Sequence, residues 1–445
     1  MKHSAYKRIK GRVLATAGLA FAVTCFGCDL LPVAFKGVVV DTGQDLFYGD
    51  AGEIAEPVSG ERFYGQDSNY EGASFAYKDN GDGTVTDENT RLKWQQTPPE
   101  EHLTWSEAAE YAEELELAGY SDWRVPTIKE LYSLAAFYGD IKTLTPYIDT
   151  DHFDFYYPDT TEGHRIIDAQ YWSSNEYVGT TMFGDSSAFG FNFADGRIKA
   201  YPTGENGGPS KGNYIRCVRG PRDYAENIFT DLDDGTIMDV GTGLMWMKTD
   251  SGATMNWEEA LEYAENLVYA GHDDWRLPNA KELQSIVDYN RAPDAADPEF
   301  QTAAIDPIFE LTDIESWFWT STTHLENGFG IYVCFGRALA YDSSTGEFTV
   351  NAHGAGAQRS DPKSGDPADY PEGLGPQKDQ IRIYNYVRCV RGDSQMPWFM
   401  GNGGNGDRPR PGNDGERPPR PDGEGGPPRF EDLDVDGDGL LSREE

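Results

Sequence analysis

Apolar positions along the chain follow helical and strand-like periods that recur, in the same order, twice. Trp105, Ala108, Ala109, Ala112 and Leu115 fall on one face at helical spacing. Thr104 and Glu107 form a capping box ahead of that run, and Asn256 and Glu259 form its counterpart ahead of Trp257. Gly119 and Gly271 supply the stops. A second, short helix is predicted from Ile128, capped by Thr127, and again from Ala280, capped by Asn279. Elsewhere the period shortens. Thr84-Val85-Thr86 and Thr236-Ile237-Met238 flank Asn/Asp-Gly turns and read as hairpin strands. Asp79, Asp82 and Asp87 could instead be calcium ligands, but their spacing completes no known loop, so the turn reading is preferred. Phe189–Phe193 and Phe329–Val333 read as strands, and Tyr214–Arg219 and Tyr386–Arg391 close each copy. Each copy is therefore α+β, with two helices and several antiparallel strands.

The most repeated block is Asp122-Trp123-Arg124-Val125-Pro126-Thr127-Ile128-Lys129-Glu130-Leu131, which returns as Asp274-Trp275-Arg276-Leu277-Pro278-Asn279-Ala280-Lys281-Glu282-Leu283. Ordered, widely spaced matches mean a duplicated domain, not a short-period solenoid. Copy one spans 75–220 and copy two 221–392, after a turn-rich lead-in over 28–74. Trp123, Arg124 and Glu130 could line a ligand site. A Trp-Arg-aliphatic-Pro run that launches a helix reads rather as architecture, with the arginine held by a nearby carboxylate. Copy two is longer between Tyr341 and Asp379, and the stretch 342–379 reads as an irregular loop and a candidate binding element.

The ends carry different chemistry. Lys2, Lys7, Arg8, Lys10 and Arg12 precede an uncharged Val13–Phe26 run too short to span a bilayer, so 1–27 reads as a signal peptide. Gly27-Cys28 resembles a bacterial lipoprotein processing site, with Cys28 lipidated; the alternative is ordinary cleavage with Cys28 left as a thiol. Residues 393–429 are a Gly/Pro-rich linker. In 430–445, Asp434, Asp436, Asp438, Leu440, Ser442 and Glu445 stand at the ligand positions of an EF-hand calcium loop, with Gly439 at its sharp turn. Calcium is the only cofactor expected, and a lone loop is expected to bind it weakly.

The formal net charge over 445 residues is −39. That field disfavours nucleic acid and sulfated polysaccharides, and leaves membrane association to the lipid anchor alone. No HExxH, GxSxG, P-loop or CxxC pair occurs in the mature chain, and the seven histidines lack paired ligand spacing. The chain is read as a non-enzyme. Cys217 and Cys389 correspond between copies while Cys334 faces Ala194, which leaves Cys334–Cys389 as a candidate disulfide. Aromatics among acids (Phe153, Phe155, Tyr156, Tyr157; Trp317, Phe318, Trp319 in copy two) suit sugar rings, though core packing is the commoner use.

The ordered motifs Asp-Gly-Thr-Val-Thr-Asp, Asp-Trp-Arg-Val/Leu-Pro, Lys-Glu-Leu, Trp-Ser/Thr-Ser and Val-Arg-Cys-Val-Arg resemble the Lcl C-terminal domain family, named after a bacterial collagen-like adhesin, over Val38–Gly392. Thr42-Gly43-Gln44 and Gly65-Gln66-Asp67 look like the lead-in of its secreted members. The Trp-Arg-Leu-Pro and Arg-Cys-Val-Arg blocks are also similar to formylglycine-generating enzymes, whose catalytic cysteine pair has no match here. The resemblance implies two tandem C-type-lectin-like domains. It points to an exported cell-envelope protein, adhesin-like, that binds an extracellular glycan or protein ligand. The competing readings are a polysaccharide- or wall-acting enzyme using carboxylates, and a purely structural envelope protein.

Overall fold

In the computed structural model, which describes residues 38–392 apart from 183, 205–211 and 327, both expected capping boxes form, and the Thr127 and Asn279 caps are completed into boxes by Glu130 and Glu282. They start α1 (Trp105–Glu114), α2 (Ile128–Ser133), α3 (Trp257–Glu265) and α4 (Ala280–Ser285). In α1 the Glu107 carboxylate accepts from the Thr104 N–H at 2.8 Å while the Thr104 hydroxyl accepts from the Glu107 N–H at 3.3 Å. That reciprocity satisfies two otherwise orphaned donors at the helix start. The signal peptide, Cys28, the linker and the calcium loop lie outside the described residues.

The lead-in makes a small hairpin, β1 (Phe47–Tyr48) with β2 (Glu53–Ile54). Copy one then carries β3 (Tyr77–Asp79), β4 (Thr84–Asp87), β5 (Lys93–Gln95), β6 (Gln170–Glu176), β7 (Ser187–Asn192), β8 (Arg197–Pro202) and β9 (Val218–Arg219). Copy two begins with β10 (Phe229–Asp231), β11 (Thr236–Asp239) and β12 (Leu244–Met247), then β13 (Trp317–His324) and β14 (Phe329–Cys334). An extra hairpin follows, β15 (Leu339–Asp342) with β16 (Glu347–Asn351), before β17 (Gln358–Asp361) and β18 (Val390–Arg391). The sheet order β3-β4-β5-β9 repeats as β10-β11-β12-β18, so each closing strand returns to pair beside its copy's opening meander. The structure is mostly antiparallel sheet with few helices, an α+β arrangement.

The remaining strands form one six-stranded sheet, β13-β14-β17-β8-β7-β6. Copy one supplies β6, β7 and β8, copy two supplies the rest, and Gln358 faces Ile198 where they meet. The copies therefore share a sheet. Helices α2 and α4 cross the seam reciprocally. Lys129 Nζ donates to Ser285 O at 2.6 Å and Lys281 Nζ donates to Ser133 O at 2.9 Å, so each duplicated lysine binds the C-terminal end of the other copy's helix. Burial pushes these ammonium groups down, Lys129 to about 8 and Lys281 to about 7.

One apolar core runs across the seam. Leu131, Phe137, Phe189 and Phe191 of copy one pack in the same cluster as Leu283, Ile286, Phe318 and Ile331 of copy two. Smaller clusters contain Trp123 and Trp172 in copy one, and Trp257, Trp275, Trp317 and Trp319 in copy two. The lead-in is pinned to both copies. Gln44 Nε2 donates to Phe137 O (3.2 Å) and Thr323 O (2.8 Å), and its Oε1 accepts from the Thr323 N–H (2.8 Å). Asp67 accepts from the hydroxyls of Thr42 (2.8 Å) and Thr322 (2.5 Å). The Thr-Gly-Gln and Gly-Gln-Asp blocks are thus a buried polar clasp.

Candidate functional site

The duplicated block is consumed by architecture. Arg124 makes a two-pronged ion pair with Glu130 (2.7 and 2.5 Å), and Arg276 does the same with Glu282 (2.6 and 2.5 Å). Trp123 and Trp275 are buried, donating from Nε1 to Leu117 O (3.3 Å) and Tyr269 O (3.1 Å). Little of this block remains for a ligand.

Two other expectations need correction, the disulfide and the irregular loop. Cys334 and Cys389 are not bonded; both are buried free thiols, as is Cys217. Cys334 ends β14 in the six-stranded sheet, whereas the Cys389 carbonyl accepts from Met247 N–H beside the four-stranded one. Both fill space in the same tryptophan-rich cluster as small apolar groups. Burial pushes the Cys217 thiol up to about 12. The aromatic–acidic stretches are core, the commoner of their two readings: Phe153, Trp317, Phe318 and Trp319 are buried, and Phe155 and Tyr157 pack against the main core. The stretch 342–379 is ordered secondary structure in good part, containing β16 and β17. The alternative calcium acids of copy one cap turns instead. Asp79 accepts from the Gly81 N–H (2.8 Å), Asp82 from the Thr84 hydroxyl (2.5 Å) and Asp87 from the Asn89 N–H (3.0 Å).

The site that emerges is a cavity of about 330 Å³ at the seam. Along β8, Ile198 and Ala200 enter the core, so the alternate residues Arg197, Lys199 and Tyr201 emerge on the other face and line the cavity. Because Gln358 faces Ile198, Arg359 of β17 emerges on the cavity face together with its cross-strand partner Tyr332 of β14, and both line the cavity. His164–Asp168 of copy one and Leu374–Asp379 of copy two supply walls. Both copies are needed to build it.

Its charges are mostly paired. Arg197 meets Glu326 at 2.8 Å and Asp195 at 3.3 Å, and Arg165 meets Asp168 at 2.7 Å. Asp379 bridges Arg359 and His353, the latter at 2.7 Å. Burial alone would raise the Asp379 pKa, but Arg359 and His353 outweigh it and hold the carboxyl well below the usual range. Burial drives His324 down to about 3 and His353 to about 4, so both imidazoles are neutral near pH 7. Lys199 differs. Among the described residues its Nζ has no hydrogen-bond or ion-pair partner, and burial together with Arg359 pushes it down to about 7. Tyr201 OH, Ser360 Oγ, Arg359 Nη1 and Asp195 Oδ1 are also buried without partners. Buried polar atoms are normally satisfied, so unsatisfied ones on residues that line a cavity point to a polar ligand there. The stretch 342–379, a candidate binding element in the sequence, does supply Arg359, Ser360 and the 374–379 wall, whereas Lys199, Tyr201 and Asp195 were missed because nothing local marks an alternating strand as part of a site.

A family model, the Lcl C-terminal domain, matches residues 83–219 and again 235–352. The chain belongs to the Lcl C-terminal domain family. The second Lcl match ends just past β16, so β17 and β18 lie beyond it although they complete the same sheets. No curated protein and no solved structure matches the chain. Membership aligns it with adhesin-like proteins of the surface or envelope. Among the described residues no helix is long and apolar enough to cross a membrane.

Proposed function

We propose that this Lcl-family protein is an exported envelope lipoprotein, anchored through Cys28, that binds an extracellular ligand in the cavity between its two lectin-like copies. The observation that carries the reading is a cavity to which both copies contribute, lined by residues with unsatisfied polar atoms. Binding is favoured over catalysis because the cavity carboxylates are engaged by cations. The carboxyl groups with strongly raised pKa, Asp67 and Asp361 at about 7, sit in structural hydrogen bonds: Asp67 in the lead-in clasp, Asp361 accepting from the N–H groups of Arg382 and Ile383. A general acid at the reacting centre would need the opposite placement. Gln377 is an exposed rim residue of the cavity. On a glycan and protein array, Gln377→Trp is expected to remove the captures made by the unaltered chain while leaving its thermal melt in place. Captures that survive the blocked rim would place the binding surface elsewhere.

The tail supplies a second, separate function, calcium binding by Asp434, Asp436, Asp438, the Leu440 carbonyl, Ser442 and Glu445. Calorimetric titration of the whole chain is expected to give one calcium site with affinity near the millimolar range of extracellular modules, about 10⁻⁴–10⁻³ M. Asp434→Ala should abolish that heat. No heat, or heat indifferent to the substitution, would remove calcium from the account.

A further inference from the structure

We infer that the seam cavity takes the carboxylate of a sugar acid, held between Lys199 and Arg359. The inference rests on the binding role proposed for that cavity and names the class of ligand. Lys199 Nζ, Arg359 Nη1 and Tyr201 OH belong to cavity-lining residues on one face of the sheet, and none of these atoms has a protein partner among the described residues. Lys199 is set apart from the other cations, because Arg165, Arg197 and Arg359 each hold a carboxylate and Lys199 holds none. An ammonium and half a guanidinium with nothing to bind call for an anionic acceptor.

The acceptors narrow the class. Asp195 Oδ1 is buried and unsatisfied beside the same strand, and Glu326 and Asp379 also line the cavity. Sulfate and phosphate dianions carry acceptors almost alone. They would leave Asp195 unmatched and would meet three carboxylates with a doubled charge. A monoanionic carboxylate on a hydroxylated ring satisfies both sets, its oxygens accepting from Lys199 and Arg359 and its hydroxyls donating to Asp195. The volume, about 330 Å³, lies at the lower end of small-ligand pockets and suits one ring, not an oligosaccharide. A surrounding chain of net charge −39 gives no long-range pull on anions, so selectivity comes from these few contacts.

The test is calorimetry on the full chain with D-galacturonate and D-glucuronate, set against their methyl esters, the neutral parent sugars and inorganic sulfate. The acids are expected to bind about tenfold or more tightly than their esters, since a hydrogen bond to a charged group is lost in the ester. Lys199→Met should remove that preference and Lys199→Arg should retain it. The acid–ester comparison needs no variant, so a misfolded Lys199→Met leaves it intact. Equal binding of acid and ester, or sulfate binding as tightly as the acids, overturns the inference while leaving a cavity ligand of another class. Failure of every sugar acid also overturns it, and the Gln377→Trp array then decides separately whether the cavity binds anything.

Discussion

Arg276→Met is expected to cost about 3–5 kcal/mol of folding stability, because removing one partner of a buried ion pair strands the other charge. The Arg276 side chain is 12% exposed and Glu282 7%, so little water is available to rescue the carboxylate. Glu282 is also the far half of the α4 capping box, accepting from the Asn279 N–H at 3.0 Å, and it cannot turn to solvent without uncapping the helix. That helix carries Lys281 across the seam, so the damage is expected to reach both copies. Arg276→Lys should recover only part of the loss, since an ammonium cannot match both carboxylate oxygens as a guanidinium does. Urea unfolding followed by tryptophan fluorescence measures it. A loss below about 1 kcal/mol, the value of an exposed pair, would show that the fork is an ornament of the surface.

Arg388→Met is expected to be about as costly, for a different reason. Arg388 is fully buried and faces carbonyls instead of a carboxylate. It donates from Nη1 to the oxygens of Met247, Lys248 and Thr249 (2.7, 2.6 and 3.1 Å) and from Nη2 to Glu310 O (2.9 Å), packed against the rings of Phe309 and Phe318. Methionine fills much of the space but orphans these acceptors, at about 1–3 kcal/mol for each that water cannot reach. Copy one repeats the arrangement, with Arg216 donating to Gln95, Gln96 and Asp154 carbonyls. Arg216→Met should therefore behave alike, and a large loss at one site with none at the other would break the equivalence of the copies. Thermal melts of the two variants make that comparison.

The legible parts of the sequence were those written in local chemistry. Two capping boxes and two Thr/Asn caps fixed four helix starts, because these residues ahead of an apolar run have one strong structural use, and the structure completes the two caps into boxes as well. The Asn/Asp-Gly turns located the hairpins for a similar reason. Duplication was visible as repeated text, and the pairing of Arg124 with a carboxylate followed from the cost of burying it alone. What escaped was long-range. Nothing near Gln358-Arg359-Ser360-Asp361 announces a strand, because its neighbours on both sides are supplied by β14 and by β8 of the other copy. The cavity could not be found without that pairing, since Lys199 and Arg359 are distant in sequence and come from different copies. The disulfide expectation failed similarly: the alignment of copies says which cysteines correspond but not which face each other across sheets.

The claim that both copies jointly build the binding site is tested most directly by a crystal structure of the chain soaked with D-galacturonate. The account predicts density for one ring at the seam, its carboxylate within hydrogen-bond distance of both Lys199 of β8 and Arg359 of β17. A ring seated on one copy alone, away from that seam, would contradict it.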